Sequence, residues 1–171
     1  PAFYGSDWQT GAYFDKRGLR TRPGGAEWDW LKEQCRIHGV RNAYMMAVAP
    51  NGSTSVIAGT SASIDPIMDK YWLEEKKGMT IPQTAPDLNE QTYWYYKEAH
   101  RIDQMYSIRA NAVRQKYIDQ GQSFNLYVDP EQVTLRTIFN YYYEAWRLGV
   151  KTVYYVRSRS LSVEECQSCS A

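Results

Sequence analysis

The chain is short of most features that assign a function quickly. Three cysteines in 171 residues are too few for a disulfide-stapled secreted domain, and two of them form a terminal pair. A zinc site needs four ligands. Beyond that pair the chain offers Cys35, His38 and His100, with no second close pair. Neither histidine has a partner carboxylate at a telling spacing, so no nucleophile–base pair stands out, and both read as surface or packing residues. No apolar run approaches the roughly 20 residues of a membrane span. Pro1 to Asp7 lack a basic segment followed by an apolar core, so they do not read as a secretory signal. Charge of one sign is missing as well. The net charge is +1 with the signs mixed, which leaves no electrostatic footprint for DNA or a membrane surface. A cytoplasmic protein is the expectation.

Aromatic residues are abundant: 15% of the chain, with fifteen Tyr and six Trp. Tyr and Trp bury large areas while keeping a polar handle. Their clustering in Tyr93–Tyr96 and Tyr141–Tyr143 suggests a broad surface shaped for another protein. The length suits one ordinary domain.

Along the chain, the first 24 residues are rich in Gly, Arg and aromatics without a sustained period, and are expected to be irregular. Residues 26–38 read as a helix with Trp28, Leu31, Cys35 and Ile37 on one side and Gly39 as its stop. Cys35 in that setting is a buried, inert thiol. Asn42–Val48 is a short apolar run that suits a buried strand. Lys76 to Pro86 reads as a connection, and residues 87–120 as two helices or a broken pair. Ser123–Val128 is a strand. Asp129-Pro130-Glu131-Gln132 then has the form of a helix start. Leu135, Ile138, Phe139, Tyr142, Ala145 and Trp146 recur at helical spacing up to Gly149, and Lys151–Val156 is a strand again. Strand, helix, strand is one βαβ unit, so the class is α/β with parallel strands. Three or four strands make a poor closed sheet, and an incomplete one is expected.

Three groups of residues carry chemistry. In the first, Ala49 to Val56, a strand delivers the chain to a turn made of Pro50, Asn51, Gly52, Ser53, Thr54 and Ser55. Unpaired N–H groups at a helix start there suit an anion, and the three hydroxyls add donors. There is no Lys and no Walker spacing, so a P-loop is excluded; an ordinary capped turn is the alternative. The second is Tyr154-Tyr155, a pair able to carry a proton and an electron. A regular strand points adjacent side chains to opposite faces, so packing is the ordinary reading of two such residues. The third is Cys166 and Cys169, a dithiol near the end of a polar tail. Eleven residues separate Tyr155 from Cys166, and at about 3.3–3.6 Å each they reach roughly 36–40 Å when extended. A dithiol so tethered can visit a buried site and return to an external reductant.

In this order the segments resemble the C-terminal part of the large (α) subunit of class I ribonucleotide reductase. The resemblance is carried by Gly39–Asn42, Ala47–Ser55, Gly59–Pro66, Asp119–Asn125, Arg147–Tyr155 and the terminal Cys-x-x-Cys, and covers about residues 39–171. It implies 39–156 as the C-terminal portion of a ten-stranded α/β barrel and 157–171 as a flexible redox-active tail, with residues 1–38, outside the resemblance, read as an irregular arm plus helix. Pro50, Asn51, Gly52, Ser53, Thr54 and Ser55 would bind the phosphates of a ribonucleoside diphosphate. Tyr154 and Tyr155 would be a stacked radical relay, with Tyr155 facing the small subunit. Cys166 and Cys169 would re-reduce an active-site disulfide and be reduced in turn by thioredoxin or a glutaredoxin-like protein. No cofactor is expected on this chain. The metal-radical cofactor belongs to the separate small subunit. The thiyl-radical cysteine lies in the family's N-terminal portion, so the resemblance implies a split enzyme completed by an N-terminal piece. A small non-catalytic dithiol carrier is the alternative; it needs neither the loop nor the tyrosine pair.

Overall fold

The computed structural model describes residues 3–16, 25–76 and 78–158. Two short helices, α1 (Asp7–Thr10) and α2 (Ala12–Lys16), precede α3 (Gly25–His38). The expectation of an irregular start is therefore corrected. Ser6 caps α1 by accepting from the Gln9 N–H, and Gly11 ends it with φ +76°. These helices fold onto α3 around a small aromatic cluster in which Phe14 and Cys35 are buried and Trp8, Tyr13, Trp28 and Val40 pack against them. Trp28 and Cys35 share the inner face of α3 as expected. Leu31 and Ile37, expected on the same side, lie outside the cluster and are exposed.

After α4 (Gly52–Ala58) comes a hairpin, β1 (Tyr71–Lys76) and β2 (Met79–Thr84), paired antiparallel with Tyr71 opposite Thr84 and Lys76 opposite Met79. The connection expected from Lys76 to Pro86 is thus the turn and second strand of a hairpin. Gly78, at φ +76°, supplies the left-handed residue of the tight turn. Two single 3-10 turns (Tyr93–Tyr95 and Ala99–Arg101) lead into α5 (Gln104–Gln115), whose N-cap Asp103 accepts from the Met105 N–H at 3.0 Å.

The main core lies between α5, β3 (Leu126–Val128) and α6 (Leu135–Arg147). It comprises Ile108, Ala112, Phe124, Leu126, Val128, Tyr141, Ala145 and Val150. Burying each of the large apolar side chains contributes about 1.5–3 kcal/mol. The chain returns through β4 (Val156–Ser158), which pairs parallel to β3 with Leu126 opposite Val156. The expected strand–helix–strand unit with parallel strands is present, although β4 begins at Val156 rather than Lys151.

Two details of α6 differ from expectation. Asp129 does not start it. Its carboxylate accepts from the Glu131 N–H and the Gln132 side chain, closing a separate turn. Thr134 then resets the backbone to extended and accepts from the Thr137 N–H at 3.2 Å, so the helix begins at Leu135. The buried stripe is Tyr141 and Ala145, with Ile138 and Leu148 half-buried. Leu135, Phe139 and Trp146 face outward at 88%, 66% and 72% exposure. Hydrophobic spacing alone cannot choose between adjacent stripes when both are apolar.

Asn42–Val48 is extended but not buried. Tyr44, Met45 and Met46 are exposed, and the segment is held by Asp119, which accepts from the Met45 and Met46 N–H groups at 2.8 Å each. Among the described residues the sheets are the β1–β2 and β3–β4 pairs plus an isolated parallel bridge between Val48 and Gln122. No helix among them is long and apolar enough to cross a membrane.

Candidate functional site

The parallel segments bring the loop and the tyrosine pair to one level. The Val48 N–H donates to the Gly121 carbonyl and the Ser123 N–H to the Val48 carbonyl, so 44–48 runs parallel to 120–123. On the other side of that segment, the Thr152 hydroxyl donates to the Gln122 carbonyl at 3.3 Å. Tyr154 and Tyr155 therefore follow the same rung at which the first segment leaves for α4. Ligand sites in parallel α/β sheets gather where strands hand over to their loops.

The two tyrosines do not split across the strand. Their ring centroids lie 4.0 Å apart with planes inclined by 40°, and the two residues are 44% and 52% exposed. The backbone explains this. With Leu126 opposite Val156, a regular parallel ladder would have the Phe124 carbonyl accept from residue 155. It accepts from Tyr154 instead, at 3.0 Å, while the Leu126 N–H donates to the Tyr155 carbonyl at 2.9 Å. The strand has slipped by one residue between these bonds, in the manner of a β-bulge, and the alternation of side chains is broken there. A hydrogen bond with Tyr155 holds the Tyr154 phenol above its usual pKa. The Arg157 guanidinium sits 5.7 Å from the centre of the Tyr155 ring.

The Ser/Thr loop is already helix. Gly52–Ser55 forms the first turn of α4, earlier than the start at Val56 that the sequence suggested, and Asn51 precedes it without a side-chain cap. The N–H groups of that turn have no intrahelical partner. Asn51 Oδ1 accepts from the Ser63 N–H at 3.0 Å, tying the entry of the helix to the segment that leaves it. Ser53 and Thr54 are exposed. Ser55 is buried, and its hydroxyl donates to the Gly52 carbonyl at 2.5 Å. It is thus committed inside the helix, which corrects its assignment as a free donor.

A buried polar cluster beside the tyrosines was not found from the sequence. Asp65 Oδ1 accepts from the Asn125 backbone N–H at 3.1 Å; Oδ2 accepts from the Asn125 side-chain amide at 2.5 Å and from the Tyr127 hydroxyl at 3.3 Å. Asn125 Oδ1 accepts from the Tyr155 N–H at 3.3 Å. Burial pushes the Asp65 carboxyl up, and the bonds from Asn125 and Tyr127 with the charge of Arg157 pull it back. Burial, then the Asp65 charge, pushes the Tyr127 phenol up to about 12. The His100 ring packs edge-on against Tyr127 at 5.3 Å, the packing role expected for it. The segments holding Asp65 and Asn125 both carry the family resemblance, but only pairing across 60 positions reveals their relation.

Cys35 is buried, which raises its thiol pKa. Cys166 and Cys169 lie outside the described residues. Among the described residues no group of three His, Cys, Asp or Glu is placed to hold a metal ion.

Residues 1–156 match the model of the ribonucleotide reductase barrel domain, a span that includes the N-terminal 38 residues. The chain is 50% identical over 169 residues to the ribonucleoside-diphosphate reductase subunit alpha of Treponema pallidum, covering 99% of this chain and 19% of that protein. It is 44% identical over 139 residues to the corresponding subunit of Helicobacter pylori, covering 81% of this chain and 18% of that one. The chain thus spans about a fifth of the length of these relatives. Among solved structures, the Actinobacillus ureae class Id ribonucleotide reductase alpha subunit superposes with a TM-score of 0.56 at 25% identity, over 90% of this chain and 35% of that one.

Proposed function

The chain belongs to the ribonucleotide reductase barrel-domain family, and from that premise we propose that it serves as the C-terminal part of a class I large subunit that reduces ribonucleoside diphosphates. The backbone amides of Gly52–Ser55, flanked by Pro50 and Asn51, receive the substrate phosphates, since a helix start presents unpaired N–H groups to an anion. Ser53 and Thr54 supply exposed hydroxyls.

Tyr155 takes the radical from the small subunit and Tyr154 passes it inward. At each step one phenol loses an electron and a proton while its neighbour regains both. The Cys166 and Cys169 thiols give two electrons and two protons to the active-site disulfide and become a disulfide themselves. Thioredoxin or a glutaredoxin-like protein then restores them. The remainder of the large subunit carries the reacting cysteine, and the small subunit the metal-radical cofactor. These tasks belong in the cytoplasm.

The observation that carries this reading is the 4.0 Å contact between two consecutive tyrosine rings. A packing role does not require a broken strand to bring them together. The test combines this chain with a large-subunit piece that lacks these residues and with the small subunit, and follows deoxyribonucleotide formation. Activity of the mixture, with none from the chain alone, is the expected result. Turnover by the chain alone, or none in any complete mixture or in a full-length subunit joining the two pieces, overturns the reading. Activity only in the joined subunit overturns the two-piece arrangement and keeps the rest.

A further inference from the structure

The slip at Tyr154 leaves a donor to account for. The Phe124 carbonyl is taken by Tyr154, so the Tyr155 N–H has lost the carbonyl that a regular ladder would offer it. A backbone N–H without a partner is costly when shielded from water. Here the Asn125 side-chain carbonyl receives it at 3.3 Å. That works only if the Asn125 amide is turned with its oxygen toward Tyr155 and its NH2 group away.

The group on the far side decides the turn. A carboxylate only accepts hydrogen bonds, so the end of the amide that faces Asp65 must be the NH2. Asp65 is 9% exposed, and both of its oxygens are occupied by donors from Asn125 and Tyr127. Burying a carboxylate carries a desolvation penalty, which these bonds offset. Arg157 is the charged group that acts on it. An asparagine at 65 would fill the same space with one acceptor in place of two, so its own NH2 would face either the Asn125 side-chain NH2 or the Asn125 backbone N–H. Relief by flipping Asn125 would put a donor against the Tyr155 N–H.

We infer that Asp65 is a positioning residue for the tyrosine pair: it sets the orientation of the Asn125 amide, which holds the slipped backbone at Tyr155 so that the two rings stay in contact. The inference rests on the radical-relay reading above. Asp65 makes its hydrogen bonds to Asn125 and Tyr127, and its link to the Tyr155 backbone runs through the Asn125 amide.

The test uses the complete large subunit with its small subunit, driven by dithiothreitol so that the tail dithiol is bypassed. Asp65→Asn is expected to lower kcat by about tenfold or more, equivalent to about 1.4 kcal/mol in the barrier, with KM for the ribonucleoside diphosphate unchanged. A readily oxidised tyrosine analogue in place of Tyr154 is expected to trap less radical by electron paramagnetic resonance in the same variant. The exchange Asp65→Asn with Asn125→Asp restores the donor–acceptor pattern between the two side chains, with the charge on the other partner and the Tyr127 hydroxyl turned to accept, and is expected to recover both signals.

Unchanged kcat in Asp65→Asn overturns the inference. So does a loss accompanied by a raised KM with undiminished trapped radical, or a folded double exchange that recovers nothing. If Tyr154→Phe itself turns over normally, the relay reading fails first. If Tyr154→Phe is inactive and Asp65→Asn is not, only the positioning role of Asp65 falls.

Discussion

The Phe124 carbonyl accepts its hydrogen bond from Tyr154 and not from Tyr155, and this one-residue displacement puts two consecutive tyrosine rings on the same side of a strand. Without it the pleat would send them to opposite faces. A ring pair in contact is able to exchange an electron and proton, whereas a split pair has a sheet between its members.

Tyr154→Phe in the complete enzyme is expected to abolish deoxyribonucleotide formation while leaving substrate affinity within about twofold, since phenylalanine keeps the ring and removes the oxidisable phenol. Equilibrium binding of a ribonucleoside diphosphate beside a turnover assay checks this. Normal turnover removes the relay.

Cys166→Ser is expected to abolish turnover driven by thioredoxin and to spare turnover driven by dithiothreitol, a small dithiol that reaches the active-site disulfide directly. Equal loss with both reductants would count against a shuttle.

Burial, then the Asp65 charge, pushes the Tyr127 phenol from an ordinary 10 up to about 12 in the folded chain. The folded state therefore holds this proton more tightly than the unfolded state. Its contribution to stability is complete below pH 10 and is lost as the pH rises through about 12. Urea unfolding between pH 9 and 12 is expected to show stability falling with pH, and Tyr127→Phe is expected to remove the share of that slope due to one proton. An identical slope in the variant would mean that Tyr127 is not shielded.

Thr134→Ala is expected to destabilise the first turn of α6 by about 1 kcal/mol, because the Thr137 N–H loses its acceptor. Amide hydrogen exchange in α6 reads this directly, and Thr134→Ser should restore protection. An effect confined to Asp129→Ala would place the cap at the earlier turn.

Several elements were legible in the residues themselves. Trp28 and Cys35 marked the inner face of α3, and Ser123–Val128 and Leu135–Gly149 gave a strand and a helix by local period. The β1–β2 hairpin was obscured because Pro82 and Lys76-Lys77-Gly78 read as punctuation; Gly78 in fact makes the turn and Pro82 stands within a two-stranded ribbon. For α6, apolar residues line two adjacent stripes, and packing on α5 and β3 selected the one containing Tyr141 and Ala145. The Ser/Thr loop was visible as a motif, but the inward commitment of Ser55 was not, because a serine hydroxyl's partner depends on where the helix begins.

By itself the sequence determined the local and the linear: the parallel strand–helix–strand order, the succession of family motifs, the pairing of Tyr154 with Tyr155 as neighbours and of Cys166 with Cys169 as a dithiol. Only the tertiary structure decided that the tyrosine rings touch and that Asp65, 60 positions from Asn125, faces them through its amide. The physical reason is that a strand's period is written in consecutive residues, whereas a slip in its hydrogen-bond ladder is set by the strand beside it and by the side chains that satisfy the displaced N–H.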